Sequence, residues 1–164
     1  MARIRHSSGF EIGEALDRAA VQACRELFVE YQGELGVSLC FQDFDRELAM
    51  LPGSYSRPRG RLLLARVAGM PAACAALRPL GEGDAEMKRL YVRRQFRGMG
   101  LGRALAEIVI DEARGLGYGV LKLDTLPQMA EAQGLYADLG FVPTIPFNDT
   151  PIAGTRYLGL ALKI

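Results

Sequence analysis

Three glycines at alternate positions, Gly98, Gly100 and Gly102, stand in a basic loop between a strand-like stretch and an amphipathic one. No other feature of the chain constrains its fold as tightly. Glycine at these points removes side chains where the backbone must bend, and lets a ligand come close to the N–H groups. Downstream, Leu101, Ala104, Leu105, Ile108, Val109, Ala113 and Leu116 recur at three- and four-residue intervals. Arg103, Glu107, Asp111 and Arg114 fill the other face, so the spacing predicts a helix that stops at Gly115 and Gly117. Its unpaired N–H groups and positive dipole end aim at the loop, which is therefore built to hold an anion, a phosphate above all. Lys88, Arg89, Arg93, Arg94, Arg97 and Arg103 add positive charge, and no acidic residue falls between Glu86 and Glu107. Glu86–Val92 before the loop and Val120–Thr125 after the helix both read as strands. Strand, anion loop, helix and strand make a βαβ unit whose strands are expected to run parallel.

Three phosphate-loop designs compete for this pattern. The nucleotide triphosphate loop ends in Gly-Lys-Ser/Thr, whereas Gly102 is followed by Arg103 and Ala104. The dinucleotide fingerprint requires G-x-G-x-x-G, and Arg103 stands where its last glycine belongs. The third design is the pyrophosphate loop of acyl-coenzyme A binders. Arg97-Gly98-Met99-Gly100-Leu101-Gly102 matches the R/Q-x-x-G-x-G/A motif of the GNAT superfamily of N-acetyltransferases. Ala132-Gln133-Gly134-Leu135-Tyr136-Ala137-Asp138-Leu139-Gly140-Phe141 is similar to that family's A-x-x-L-Y-x-x-L-G-F segment. The two motifs, in order and with a strand between them, carry the resemblance over residues 84–141. One departure is Met129, where family members usually carry Asn, so an equivalent hydrogen bond must come from Gln128 or from backbone.

The resemblance implies an α/β fold: a mixed, mostly antiparallel sheet with a βαβ cofactor unit and helices on both faces. It implies acetyl-CoA as cofactor, its pantetheine arm lying where strands Ala85–Val92 and Val120–Leu126 splay apart. Backbone groups of Leu90, Tyr91 and Val92 would pair with the arm as an added strand. Amides of Arg97, Gly98, Met99, Gly100, Leu101, Gly102 and Arg103 would hold the pyrophosphate, and Met129 and Tyr136 would border the arm. Aminolysis of a thioester needs a polarised carbonyl and a protonated leaving sulfur. A backbone N–H near Val92 is the expected oxyanion donor. Tyr136, the tyrosine of the L-Y pair, is the expected general acid, and Glu86 the expected base. The acceptor pocket is expected at Tyr31, Phe41, Asp43, Phe44 and Asp45, where acidic and aromatic groups suit a small primary amine or amino-acid-like acceptor. A homodimer is what the resemblance makes common. The rival from another class is a non-catalytic acetyl-CoA sensor using the same loop.

Bulk properties fit one domain spanning 1–164, with 49% hydrophobic and 24% charged residues. A net charge of +1 argues against nucleic acid as partner. No apolar run reaches membrane-spanning length and the N-terminus lacks a signal peptide's apolar region, so no membrane partner and a cytoplasmic address are expected. Cys24, Cys40 and Cys74 are odd in number and widely spaced, implying no disulfide framework. His6 is the only histidine, so a histidine-based triad or metal site is not expected.

Along the chain, residues 2–5 read as a first strand and Ile12–Leu35 as a helix, with Leu16, Ala19, Ala20, Ala23, Leu27 and Tyr31 on one face. A short helix capped by Asp43 or Asp45 follows, running through Leu51. Gly60–Val67 and Ala72–Leu77 read as strands, Met129–Leu139 as a helix, and Phe141–Ile145 and Thr155–Leu162 as closing strands. The segment from Pro146 to Gly154 is too rich in breakers for either element.

Overall fold

The computed structural model describes residues 3–7, 9–36, 38–39 and 43–163, with side chains from residue 9 onward. Phe41 and Cys40 lie outside the described residues, as does the side chain of His6. Eight strands form one sheet in the order β1-β2-β3-β4-β5-β6-β8-β7. They are β1 (Arg3–Ser7), β2 (Phe10–Glu14), β3 (Arg61–Val67), β4 (Met70–Leu80), β5 (Asp84–Val92), β6 (Val120–Thr125), β7 (Val142–Pro143) and β8 (Arg156–Ala161). Every neighbouring pair is antiparallel except β5 and β6. That parallel pair is joined by helix α3 (Leu101–Gly115), as the βαβ reading requires.

The N-terminal expectation fails in one respect. Residues 10–14 extend as β2, and helix α1 begins only at Arg18 and runs to Leu35. Asp17 supplies the start, its carboxylate accepting the Ala20 N–H at 2.7 Å, and Gly36 in the left-handed region supplies the stop. Leu16 precedes the helix and is 55% exposed, so the buried face is Ala20, Val21, Ala23, Cys24, Leu27 and Phe28. The misreading has a simple cause: apolar spacing ran across the turn at residues 15–17 and hid it. The extra strand also renumbers the sheet, making the splaying pair fifth and sixth in the chain.

Two cores flank the sheet. Helix α1 and the short helix α2 (Phe44–Met50) cover one face, packing on Leu62, Leu64, Cys74, Ala76 and Tyr91. Helix α3 and helix α4 (Ala130–Asp138) cover the other, packing on Leu63, Ala73, Ala75, Leu77, Met87, Leu121 and Leu123. Strand β4 is buried on both faces from Ala72 to Leu77. Its run of small residues lets helices lie close on either side, as expected of a strand in the middle of the sheet. Among the described residues no helix is long and apolar enough to cross a membrane.

Candidate active site

Strand β5 makes the site by failing to pair. It meets β6 only at Ala85–Leu121 and Glu86–Lys122, and beyond that point the two strands separate. On its other edge β5 carries a bulge, since Cys74 faces Tyr91 while Ala76 faces Lys88. Arg89 sits in that bulge with φ 60°, a left-handed conformation that a side chain makes costly. Past the bulge, Arg93 N–H donates to Ala72 C=O at 2.9 Å, so Ala73 and Val92 form a non-hydrogen-bonded pair. The Val92 N–H and C=O consequently point to the open edge. Arg97 Nε takes the Val92 carbonyl at 2.9 Å, leaving the N–H for a ligand.

A short 3₁₀ turn (Arg94–Phe96) carries the chain from β5 into the glycine loop. Gly98 and Gly100 have φ of 86° and 85°, and Gly100 is the N-cap of α3 with no side-chain cap bond. Alternating left-handed residues turn successive N–H groups inward, and the first turn of α3 leaves its own N–H groups unpaired in the same direction. The resulting cleft holds about 580 Å³ and is bordered by Leu90, Tyr91, Val92, Gly98, Gly100, Leu101 and Gly102 on one side and residues 128–132 and Leu135 on the other. Met99 and Arg103 do not border it: Met99 is exposed, and Arg103 reaches Asp138 at 3.3 Å. Amide-lined loop, unpaired strand edge and adjoining cleft fit the diphosphate and extended amide arm of acetyl-CoA.

The basic cluster is not, as its density in the sequence suggested, free for that anion. Arg93 is held by Glu30 with bonds of 2.5 to 3.0 Å, and Arg97 by Glu34 at 2.5 Å. Arg89 makes a two-bonded pair with Glu47, at 2.8 and 2.9 Å. Much of the anion grip therefore falls to backbone. Glu30 and Glu34 lie one helical turn apart on α1, and Arg93 and Arg97 also lie four apart, which is the signal a sequence reading could have used. Glu34 also accepts the Tyr91 hydroxyl at 3.0 Å. Burial, joined by that carboxylate, pushes the Tyr91 phenol up to about 12.

Behind the cleft lies a small inner cavity of about 30 Å³, sharing Tyr31, Leu35, Leu90 and Met129 with it. Tyr136, Lys88, Arg89 and Asp124 complete its polar lining. Tyr136 is buried, its ring edge-on to Phe141 at 5.7 Å, and its hydroxyl makes no hydrogen bond among the described residues. Burial raises its pKa, with Tyr31 and the Asp124 charge adding, so the phenol keeps its proton at neutral pH. Tyr31 is likewise pushed up to about 12, first by burial, with the Arg89 charge opposing and the Asp124 charge adding. Met129 stands at the junction, its sulfur 4.0 Å from both the Tyr31 hydroxyl and Thr125 Oγ1. Gln128 bridges from the α4 side to the Leu35 carbonyl at 3.4 Å.

Four expected site residues go elsewhere. Glu86 lines neither cavity; it is 1% exposed, bound by Arg78 at 2.9 and 3.0 Å, and 3.8 Å from Lys88. It shares a sheet face with Lys88 and, across the β5–β6 register, with Lys122, and its carboxylate is held by Arg78 beside Lys88 where the two strands still pair, short of the opening. Phe44 is fully buried in the α1-side core under the Arg89 guanidinium, and Asp43 and Asp45 are exposed at the start of α2. Asp43 is the N-cap residue but makes no cap bond. Of the described members of the expected acceptor set, only Tyr31 borders the cavities. Asp124, which the sequence reading passed over as an ordinary strand position, lies inside.

An unpaired strand edge leading from an amide-lined anion loop to a buried phenol defines an acyltransferase that takes its acyl group from acetyl-CoA. The acetyltransferase (GNAT) family model matches residues 21–141. The chain belongs to this family. It is 41% identical over 139 residues to an uncharacterized N-acetyltransferase of Schizosaccharomyces pombe, covering 84% of this chain and 85% of that one. Its fold matches a GNAT-family acetyltransferase from Staphylococcus aureus with a TM-score of 0.79 and 20% identity, over 94% of this chain and 99% of the other. It also matches yncA from Salmonella typhimurium, solved with its cofactor acetyl-CoA, with a TM-score of 0.66 and 22% identity over 94% and 95% of the two chains.

Proposed function

We propose that this chain, as a single catalytic domain acting in the cytoplasm, acetylates a primary amine of a small molecule by direct attack within a ternary complex. The observation that carries the reading is the adjacency of the two cavities, which share Tyr31, Leu35, Leu90 and Met129 as a common wall, one bordered by the glycine loop and the other by Tyr136. Acetyl-CoA, when bound, supplies the thioester carbonyl that the amine attacks. Gly98 to Gly102 hold its diphosphate through main-chain amides, and the open edge of β5 at Leu90 and Val92 orients the arm. Val92 N–H stabilises negative charge that develops on the carbonyl oxygen. Tyr136 gives its proton to the departing sulfur and is restored by the proton that the attacking nitrogen sheds as the amide forms, a role that a phenol kept neutral by burial suits. Met129 and Tyr31 close the cavity to bulk water around that transfer. Names of the relatives as N-acetyltransferases favour turnover over the sensor reading, which requires cofactor binding without product.

Tyr136→Phe tests this assignment. It removes the proton while keeping the ring against Phe141, so kcat should fall about 100-fold with acetyl-CoA affinity unchanged. Thiol release with a primary-amine panel gives kcat, and calorimetry gives the affinity. A Phe variant turning over like the parent removes Tyr136 from the mechanism.

A further inference from the structure

Two features remain unused by this scheme: Asp124, and the breaker-rich segment 146–154. The structure joins them. On β6, Leu121 and Leu123 face the α3-side core, so Lys122 and Asp124 belong to the opposite face. There, among the described residues, Asp124 is the only carboxylate lining the inner cavity. The two cations in that lining already have acidic partners: Arg89 in Glu47, and Lys88 in Glu86 at 3.8 Å.

The loop holds the carboxylate in place. Asn148 Nδ2 donates to Asp124 Oδ2 at 3.0 Å. Asn148 Oδ1 accepts from Thr150 Oγ1 at 2.7 Å and from Tyr157 Oη at 2.8 Å. The Asp124 carboxylate can only accept, so the amide turns its nitrogen toward it and its oxygen toward the two hydroxyls, which can donate. Tyr157 is the register partner of Asp124 on β8 and stacks edge-on against Phe147 at 5.2 Å, so the loop is pinned from both sides. Asp124 Oδ1 accepts no hydrogen bond among the described residues. The inner cavity, at about 30 Å³, has room for a small polar head such as an ammonium group.

We infer that Asp124 anchors the nitrogen of the acceptor in the inner cavity and selects amines that are cationic in solution, with Asn148 as the positioning residue for its carboxylate. This rests on the acetyl-transfer reading above. The substrate class is then an alkylammonium compound whose charged head enters first and passes one proton through the Asp124 carboxylate to water, leaving the neutral amine that attacks, while the rest of the molecule stays outside the inner cavity.

The test compares two acceptors in the thiol-release assay with saturating acetyl-CoA at pH 7.5: 2-phenylethylamine, cationic there, and aniline, neutral there. Asp124→Asn should raise KM for 2-phenylethylamine about 10- to 100-fold, the range for losing a hydrogen bond to a charged group. KM for aniline should change less than about threefold by the same reasoning, and KM for acetyl-CoA should not move. Asn148→Ala should give the same contrast in smaller measure, and it carries the test if the Asp124 variant does not fold. Equal changes for both amines, or none for either, overturn the assignment. A folded parent that binds acetyl-CoA yet acetylates no amine overturns the acetyl-transfer reading itself, and the inference with it, a result readily told apart from an indifferent Asp124 variant.

Discussion

Replacing Glu47 by Gln removes the one carboxylate that holds the β5 bulge from the side of α2. Arg89 occupies a left-handed backbone conformation there, with its side chain 3% exposed and its guanidinium 5.1 Å from the Phe44 ring centre. The left-handed conformation costs about 1–2 kcal/mol, and the two bonds to Glu47 offset it. Breaking a buried ion pair from one side typically costs about 3–5 kcal/mol because the remaining charge stays desolvated. Glutamine keeps one acceptor, so the lower end applies, about 3 kcal/mol. For a chain of this size that is about 6–12 °C in Tm. Glu30→Gln is the matched control, since the Arg93–Glu30 pair is 22% and 39% exposed and should shift Tm little. Burial raises the Glu47 pKa, but hydrogen bonds and charge from Arg89, with the Lys88 charge, outweigh this and hold it below the usual range. A carboxyl lowered in the folded state stabilises above its unfolded value, near 4.3, and loses that contribution as pH falls through the folded one. The parent-to-variant gap should therefore be full at pH 7 and close in acid. Thermal unfolding of the three proteins from pH 3 to 8 reads both effects. A Glu47→Gln midpoint within 2 °C of the Glu30→Gln one would refute the idea that this pair secures the bulge.

Two further outcomes follow from the same geometry. Gly100→Ala places a Cβ in open space but forces alanine to φ 85°, so the cost is conformational: about 1–2 kcal/mol, read as a Tm loss of a few degrees and a several-fold weaker acetyl-CoA Kd by calorimetry. Burial, with the Arg89 charge, lowers Lys88 to about 8, so its proton costs stability below pH 8 and that cost is relieved as pH rises toward the unfolded value near 10.4. Relative to Lys88→Met, the parent should gain about 3 kcal/mol between pH 7 and 10, and urea midpoints that run parallel across that range would contradict it.

How much was legible follows the range of the forces involved. The glycine loop, the start of α3 at Leu101, its stop near Gly115 and the parallel β5–β6 pair are written locally, in turn glycines and in apolar spacing, and they emerged as read. Strand β6 matched residue for residue. The start of α1 did not, because Asp17 capping competes with an apolar rhythm that continues back into β2. The arginines of the loop show the same division at the level of charge. Their number is in the sequence, but what each one faces depends on α1 and α2 arriving from residues 30, 34 and 47.

The sequence by itself determined the family, the cofactor and the conformation of the glycine loop, because those depend on short stretches whose backbone conformation is dictated by neighbours. Tertiary structure alone decided which acids serve the site. Glu86 and Asp124 are both acidic strand residues on one face of the sheet, and the parting of β5 from β6 beyond Glu86 and Lys122 leaves the first as an ion-paired group where the strands still pair and the second in the lining of the inner cavity. A side chain's identity is local, but the direction it faces and the charges it meets are set by strands and loops far away in the chain.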